Sequence, residues 1–281
     1  MAALLAGIVL AVGGAMAWAE TRVHVERSAL QTIVVVDTDA RRCLRFGETE
    51  GALNQTCVSF AAPARLEFGY ARAMVAVAML WQPEPQRILV IGIGGGSIPM
   101  ALADLLPAAR IDAVDIDAAV IDVARRYFGF KPDERLRAYA EDGRAFVRRA
   151  RQAGRRYDAI LLDAFDDSGI PPGLFDRTFL ADAKGLLAPG GVFMANTFAG
   201  SPRYAIESTT AQAVFGTFLN IKLGGDSDGN RLLVASAGEL PAPSRLVPAP
   251  ERRRAAFDRI GATDAWLRTW RFAGRDWLPP K

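Results

Sequence analysis

The chain has 281 residues, 34 basic and 31 acidic side chains, a net charge of +3 and a hydrophobic fraction of 51%. That balance excludes a disordered chain, and arginines interleaved with acids leave no nucleic-acid footprint. The single histidine, His24, stands outside every motif below, which excludes a Ser-His-Asp triad at those motifs and a His-rich metal site; the two cysteines, Cys43 and Cys57, are too few for zinc.

Residues 1–19 carry no charged side chain before Glu20. Two readings stand. Ala17-Trp18-Ala19 has the form of a signal-peptidase site, which would export the domain. Nineteen apolar residues also reach about 28 Å, enough for a membrane tether. Arg22, Arg27, Arg41, Arg42 and Arg45 follow the segment and none precedes it, so the tether reading places the domain on the cytoplasmic side of the inner membrane. That reading is preferred; a periplasmic domain after cleavage is the alternative.

Short strands are expected at 30–36, 43–46 and 56–60, forming a small β-module over 20–62. Cys43 and Cys57 flank its turn and could face each other, but the preferred reading is two small buried apolar residues. Spacing predicts a helix over 64–80, with Leu66, Tyr70, Met74 and Val77 on one face, ended by Pro83 and Pro85. Strands at 87–92, 110–115, 135–140, 157–163 and 191–198 then alternate with helices near 98–106, 118–128, 142–153, 176–187 and 203–214. Apolar strands with helices between them argue for a parallel sheet covered on both faces. Segments 217–223 and 230–236 flank a Gly/Asp-rich turn and read as an antiparallel closing pair. The fold class is therefore α/β, a class I methyltransferase-type, Rossmann-like doubly wound sheet with an antiparallel last strand, behind a small β-module. The transferase-type domain covers 63–237; 238–281 is a Pro-rich linker and an amphipathic tail with Trp266, Trp270 and Phe272.

Chemistry concentrates at the strand ends. Strand 87–92 runs into Gly92, Gly94, Gly95 and Gly96, a loop that lets a ligand approach the backbone next to free helix N–H groups. A dinucleotide fingerprint fails on spacing, because the sixth position is Ser97 counted from Gly92 and Pro99 counted from Gly94. Asp115 ends the second strand, where an acid accepts ribose hydroxyls and repels a 2′-phosphate. Asp117 reads equally as ligand contact or cap of the helix from Ala118, and Asp142-Gly143 as an adenine contact or a helix cap. These acids at one sheet edge point to a nucleoside without phosphates. Asp163, Asp166 and Asp167 follow the fourth strand and would attract two cations, a sulfonium donor and an amine acceptor. Asp163 is placed to take the amine proton in an in-line displacement, and Asp166 to bind a second ammonium; the alternative for Asp166 and Asp167 is a solvated loop. Gly169, Pro171, Pro172 and Gly173 read as a lid.

These motifs resemble the spermidine synthase (polyamine aminopropyltransferase) family, in its bacterial spermidine-synthase-like branch, from about Ser28 to Ser236. Ser28 and Gln31 look like the family's Ser-x-x-Gln, whose glutamine touches the donor, and Tyr70 falls in its Tyr-His-Glu stretch. The Gly92–Gly96 loop, Asp115 with Asp117, Asp142-Gly143 and YDAILLD match in order and spacing. The resemblance implies that Asp163 is the catalytic base and that Asp166 binds the polyamine. Three positions depart from the pattern. Ser97 replaces an acid that binds the amino end of decarboxylated S-adenosylmethionine, Ala71 and Arg72 replace His and Glu, and Asp167 replaces a proline. Losing the acid at 97 favours ordinary S-adenosylmethionine. The reaction expected is aminopropyl transfer from decarboxylated S-adenosylmethionine to a polyamine. Methyl transfer from S-adenosylmethionine to a small amine or other acceptor, and a non-catalytic nucleoside-binding domain, stand as alternatives. No metal and no nucleic acid are expected, and a homodimer is.

Overall fold

The structure, a computed structural model, describes residues 20–49, 52–81, 84–165, 169–223, 229–240 and 251–273. Residues 1–19, with both readings of the apolar segment, lie outside them, as do Pro83 and most of the Pro-rich linker.

A four-stranded antiparallel sheet comes first, in the order β1 (Thr21–Arg27), β2 (Thr32–Asp37), β3 (Arg41–Phe46) and β4 (Asn54–Ser59). Its first strand was not expected from sequence. TRVHVER is a largely solvent-facing edge strand, so it shows no apolar run to read. One face of the module sends Ile33, Val35 and Leu44 against Val120, Val123 and Phe128 of the main domain. The other carries Val34, Val36, Cys43 and Cys57. Cys43 and Cys57 are register partners across β3 and β4 and form a disulfide. This corrects the free-cysteine reading. Facing positions on paired strands bring the two sulfurs together, and spacing along the sequence does not reveal that register.

The main sheet has eight strands in the order β12-β10-β11-β9-β8-β5-β6-β7. Strands β5 (Arg87–Ile91), β6 (Arg110–Asp115), β7 (Leu136–Ala140), β8 (Tyr157–Leu162) and β9 (Leu187–Phe198) are parallel. Helices α1 (Gly69–Trp81), α2 (Ser97–Leu105), α3 (Ala118–Tyr127), α4 (Gly143–Gln152), α5 (Arg177–Leu186) and α6 (Tyr204–Phe215) cover its two faces. The apolar cores on the two faces are separate, one around α1 and α2 and the other around α4 and α5. Strands β10 (Phe218–Lys222) and β11 (Asn230–Ser236) are antiparallel to each other, and β11 is antiparallel to β9, so the closing pair runs as the sequence led one to expect.

Two boundaries differ from expectation. Helix α1 begins at Gly69 rather than 64, because the backbone N–H of Leu66 bonds the carbonyl of Ile260 instead of entering the helix. The tail forms α7 (Glu251–Ile260), α8 (Asp264–Leu267) and β12 (Arg271–Ala273), and β12 adds a strand beside β10. Phe257, Ile260, Leu267 and Trp270 join the α1 core.

The chain leaves β5, fills one side of the sheet with β6 and β7, and returns to the other side with β8. The order therefore reverses between β5 and β8, and the crevice beyond the carboxyl ends of those strands is where such sheets hold ligands. Strand β4 of the module lies over this crevice, so the module and the domain share the site.

The disulfide ties two strands separated by 14 residues. The double substitution Cys43→Ala/Cys57→Ala should lower unfolding free energy by about 2–3 kcal/mol, as loop closure of this length implies. Urea unfolding of oxidised wild type and variant measures the difference; equal midpoints would show that the bond does not hold the module.

Candidate active site

The loop after β5 is shaped by what it cannot accommodate. Gly92 has φ of 95°, and a Cβ there would stand 2.1 Å from the carbonyl oxygen of Asp163. Only glycine lets the loop pass that close to the end of β8. Gly96, at φ 84°, is pressed against the Phe130 ring in the same way, where a Cβ would meet Cδ2 at 2.6 Å. The N–H of Gly95 donates to Thr56 Oγ1 of β4 at 2.9 Å, so the module holds the loop directly. Helix α2 begins at Ser97, whose buried hydroxyl has no partner among the described residues.

The acids occupy successive strand ends. Asp115 accepts from the N–H of Ile93 at 2.9 Å and of Asp117 at 3.1 Å. Burial raises its pKa, and these backbone donors oppose the rise. Asp142 accepts from the N–H of Ala145 at 2.8 Å, capping α4, and its side also lines the cavity. The helix-cap reading of that residue is met, and its place on the cavity wall leaves the adenine contact as a proposal. Asp117 caps α3 through the N–H of Ala119, and it also accepts from Ser28 Oγ at 2.6 Å and Gln31 Nε2 at 3.4 Å. With 4% of its surface exposed, Asp117 ties the module to α3 and positions Gln31.

Asp163 follows β8, and its N–H is bonded to the carbonyl of Ile91 at 2.8 Å. Its Oδ1 accepts from Asn196 Nδ2 at 3.0 Å. Burial pushes its carboxyl up to about 6, and the Asn196 bond acts against that rise. Tyr70, with its hydroxyl on the carbonyl of Gln55 at 3.3 Å, has a phenol raised well above its usual range by burial and by the Asp163 charge.

These groups surround one cavity of about 220 Å³. Of the residues expected from sequence, Gln31, Tyr70, Gly92, Gly94, Asp115, Asp142, Gly143 and Asp163 line it. Gly95, Gly96 and Asp117 do not reach its wall and instead hold the surrounding backbone and Gln31. Asp166 and Asp167 lie outside the described residues. Among the lid residues, Pro171 and Gly173 reach the cavity, and Arg144 fastens that segment by donating to the Gly173 carbonyl at 2.7 Å and pairing with Asp176 at 2.6 Å.

Sequence reading missed Phe46, Gln55, Thr56, Arg144 and Phe165 on the wall. Gln55 and Thr56 come from the module, and only the folded approach of β4 to the glycine loop reveals them. A second, smaller pocket joins the first at Gln55, Thr56, Tyr70 and Asp163 and is closed by Glu67 and Ser97. Among the described residues no group of His, Cys, Asp and Glu side chains could hold a metal ion.

The sequence matches the spermine/spermidine synthase domain over residues 67–214. It is 42% identical over 228 residues to the polyamine aminopropyltransferase of Vibrio vulnificus, covering 80% of this chain and 75% of that one. Human methyltransferase-like protein 13, solved in complex with SAH, is 27% identical with a TM-score of 0.57, covering 72% of this chain and 93% of that one. The spermidine synthase of Thermotoga maritima shares the fold, with a TM-score of 0.67 at 21% identity over 88% of this chain and 82% of that one.

A carboxyl raised from 3.8 to about 6 binds its proton more tightly folded than unfolded. Its contribution to stability is thus complete below the unfolded value and lost as pH rises through the folded one. Asp163→Asn should therefore gain stability over wild type as pH increases from about 4 to about 7, with little difference at the acid end. Denaturation of both proteins across that range tests this; a gap independent of pH would mean that Asp163 ionises as an ordinary exposed acid.

Proposed function

The chain belongs to the spermine/spermidine synthase family, and we propose that it transfers an aminopropyl group from decarboxylated S-adenosylmethionine to a small polyamine acceptor such as putrescine. The single observation that carries the reading is the convergence of Asp115, Asp142 and Asp163 from three strand ends on one cavity. Asp115, held by backbone N–H groups, suits the ribose hydroxyls, and Asp142 at the start of α4 suits the adenine amino group.

The reaction is a displacement at carbon. The acceptor's neutral amine attacks the methylene group next to the sulfonium, a C–N bond forms, the C–S bond breaks, and the sulfur leaves as a neutral thioether. The product amine sheds one proton. Asp163 would accept it, and a carboxylate tuned to about 6 is ionised at neutral pH yet more basic than a free one. Tyr70 lies beside Asp163, and its phenol stays protonated, able to donate to or orient the amine. Arg144 holds the Pro171–Gly173 segment over the cavity, which supports its role in excluding water. Asp166 is retained as the proposed site for the acceptor's second ammonium.

One observation favours a second reading. Ser97 presents a buried hydroxyl without a partner among the described residues, where the family's acid would meet a free ammonium. A donor that keeps its carboxylate is repelled less here, which supports methyl transfer from S-adenosylmethionine. Incubating the protein with each donor and a panel of diamines, then identifying the nucleoside product by mass, separates the two. Methylthioadenosine with an aminopropylated amine supports the first reading; S-adenosylhomocysteine supports the second. Asp163→Asn should cut turnover by at least about 10²-fold, the scale of a lost general base, while nucleoside affinity by calorimetry stays within about twofold. Turnover that survives the substitution overturns the assignment of the base.

Of the two placements for the chain, the Cys43–Cys57 bond supports the exported one, because disulfides persist in oxidising compartments and are rare in the cytosol. Thiol alkylation of fractionated cells should find the bond intact outside the cytoplasm. A reduced protein in the cytoplasmic fraction overturns that placement.

A further inference from the structure

Behind Asp163 stands a pair of amides that the reaction scheme above does not use. Asn196, on β9 and 2% exposed, donates from Nδ2 to Asp163 Oδ1 at 3.0 Å. Its own Oδ1 accepts from Asn230 Nδ2, at the start of β11, at 3.0 Å. Three side chains from three neighbouring segments thus form one directed line, Asn230 to Asn196 to Asp163.

The direction matters because an amide is polar end to end. An asparagine has two N–H donors on one side and a carbonyl on the other. With Asn230 donating to the carbonyl of Asn196, the amide nitrogen of Asn196 must face Asp163. Turning the Asn196 amide over would set its oxygen against a carboxylate and its nitrogen against the Asn230 nitrogen, losing both bonds. Burial makes either loss expensive, since no solvent replaces the missing partner. Asn196 therefore presents a donor to Asp163 and occupies Oδ1, leaving Oδ2 outside this bond.

We infer that Asn196, locked in orientation by Asn230, is a positioning residue that aims Asp163 at the acceptor amine and keeps it ionised. The inference rests on the reading of Asp163 as the base. Among the described residues, the other ionisable groups around Asp163 are Tyr70 from α1, Glu67 before it across the adjoining pocket, Asp115 from β6, and Asp142 and Arg144 at the start of α4. None of them donates a hydrogen bond to the Asp163 carboxylate among the described residues; Asn196 does. A donor to the charged form lowers a carboxyl pKa, and here it works against burial.

Two uncharged substitutions in the full chain test this. Asn196→Leu removes the donor while keeping the branched four-atom shape of the side chain, and Asn230→Ala removes only the lock. With decarboxylated S-adenosylmethionine and putrescine as probes, the acid limb of kcat/KM should move up by about one pH unit in Asn196→Leu and by about half a unit in Asn230→Ala, as expected for a lost bond to the charged form. At pH 7, kcat should fall about tenfold in the first and about threefold in the second, while the affinity for methylthioadenosine stays within about twofold. A merely structural pair would change stability and leave the pH profile in place. An acid limb unmoved in Asn230→Ala overturns the inference, and this variant remains informative if Asn196→Leu does not fold. Should the wild type transfer nothing, the functional reading has failed, and the inference is read without turnover. The carboxyl carbon resonance of Asp163, assigned by its loss in Asp163→Asn, should then titrate higher in Asn230→Ala than in wild type, and an unchanged midpoint overturns it.

Discussion

The close passage of Gly92 over the Asp163 carbonyl fixes the geometry of the whole site. Where β5 and β8 part, the glycine loop and the acid at the end of β8 must share space that leaves no room for a single Cβ carbon. That contact sets the distance between the glycine loop, proposed to meet the nucleoside, and the carboxylate proposed to meet the acceptor. Displacement chemistry needs this distance fixed, since attacking atom, carbon and leaving sulfur must stand in line. The register bonds on either side, Gly92 to Val114 and Asp163 to Ile91, carry the same constraint into the sheet. A rigid parallel sheet buried on both faces thus determines where the reacting groups sit, and the loops contribute side chains to positions it has already set.

The β-module completes that arrangement. Thr56 reaches from β4 to the N–H of Gly95, and Ser28 and Gln31 meet on Asp117 at the head of α3. Asp117 therefore joins a helix cap, the module and a cavity-lining glutamine in one carboxylate. The Cys43–Cys57 bond lies on the far face of the same strand pair, one residue from Thr56. Stiffening β4 there also limits how far Thr56 can move from the glycine loop, so a covalent tie in the module bears on the candidate site. A small module with few apolar side chains of its own gains its order from this bond and from the face it lays on α3.

Local chemistry made most of the domain legible in the sequence. The alternation of apolar strands and amphipathic helices, the Gly92–Gly96 loop and the acids at the strand ends each carry their signal within a few residues. What stayed hidden depends on pairing between distant segments. The partnership of Cys43 with Cys57 is a matter of cross-strand register. Gln55 and Thr56 reach the cavity because β4 folds over a loop almost 40 positions away in the chain. Edge strand β1 has too little buried surface to leave an apolar pattern, and β12 is three residues whose role is set by β10. Asp117 shows the same limit within one residue: the sequence offers a cap or a ligand contact, and the structure uses its two oxygens for the cap and the module together.

The proposed chemistry asks for a carboxylate with opposing properties. It must be sheltered from water to be basic enough for an amine proton, yet it must remain ionised while the site is empty. Burial alone would serve the first need and defeat the second, because a desolvated acid keeps its proton. A nearby cation would defeat the first, drawing the pKa down and competing with the cationic substrates. A neutral donor lies between these extremes. The Asn196 amide supplies a partial positive charge at 3.0 Å without introducing a counter-ion, and the cavity stays attractive to a sulfonium and an ammonium. The arginine that does line the cavity, Arg144, is turned to Gly173 and Asp176, so its charge is spent on the lid segment. Holding a carboxylate by amides and backbone N–H groups, at Asp163 and at Asp115 alike, leaves the pocket acidic without a counter-ion, which is what the proposed transfer between two cations requires.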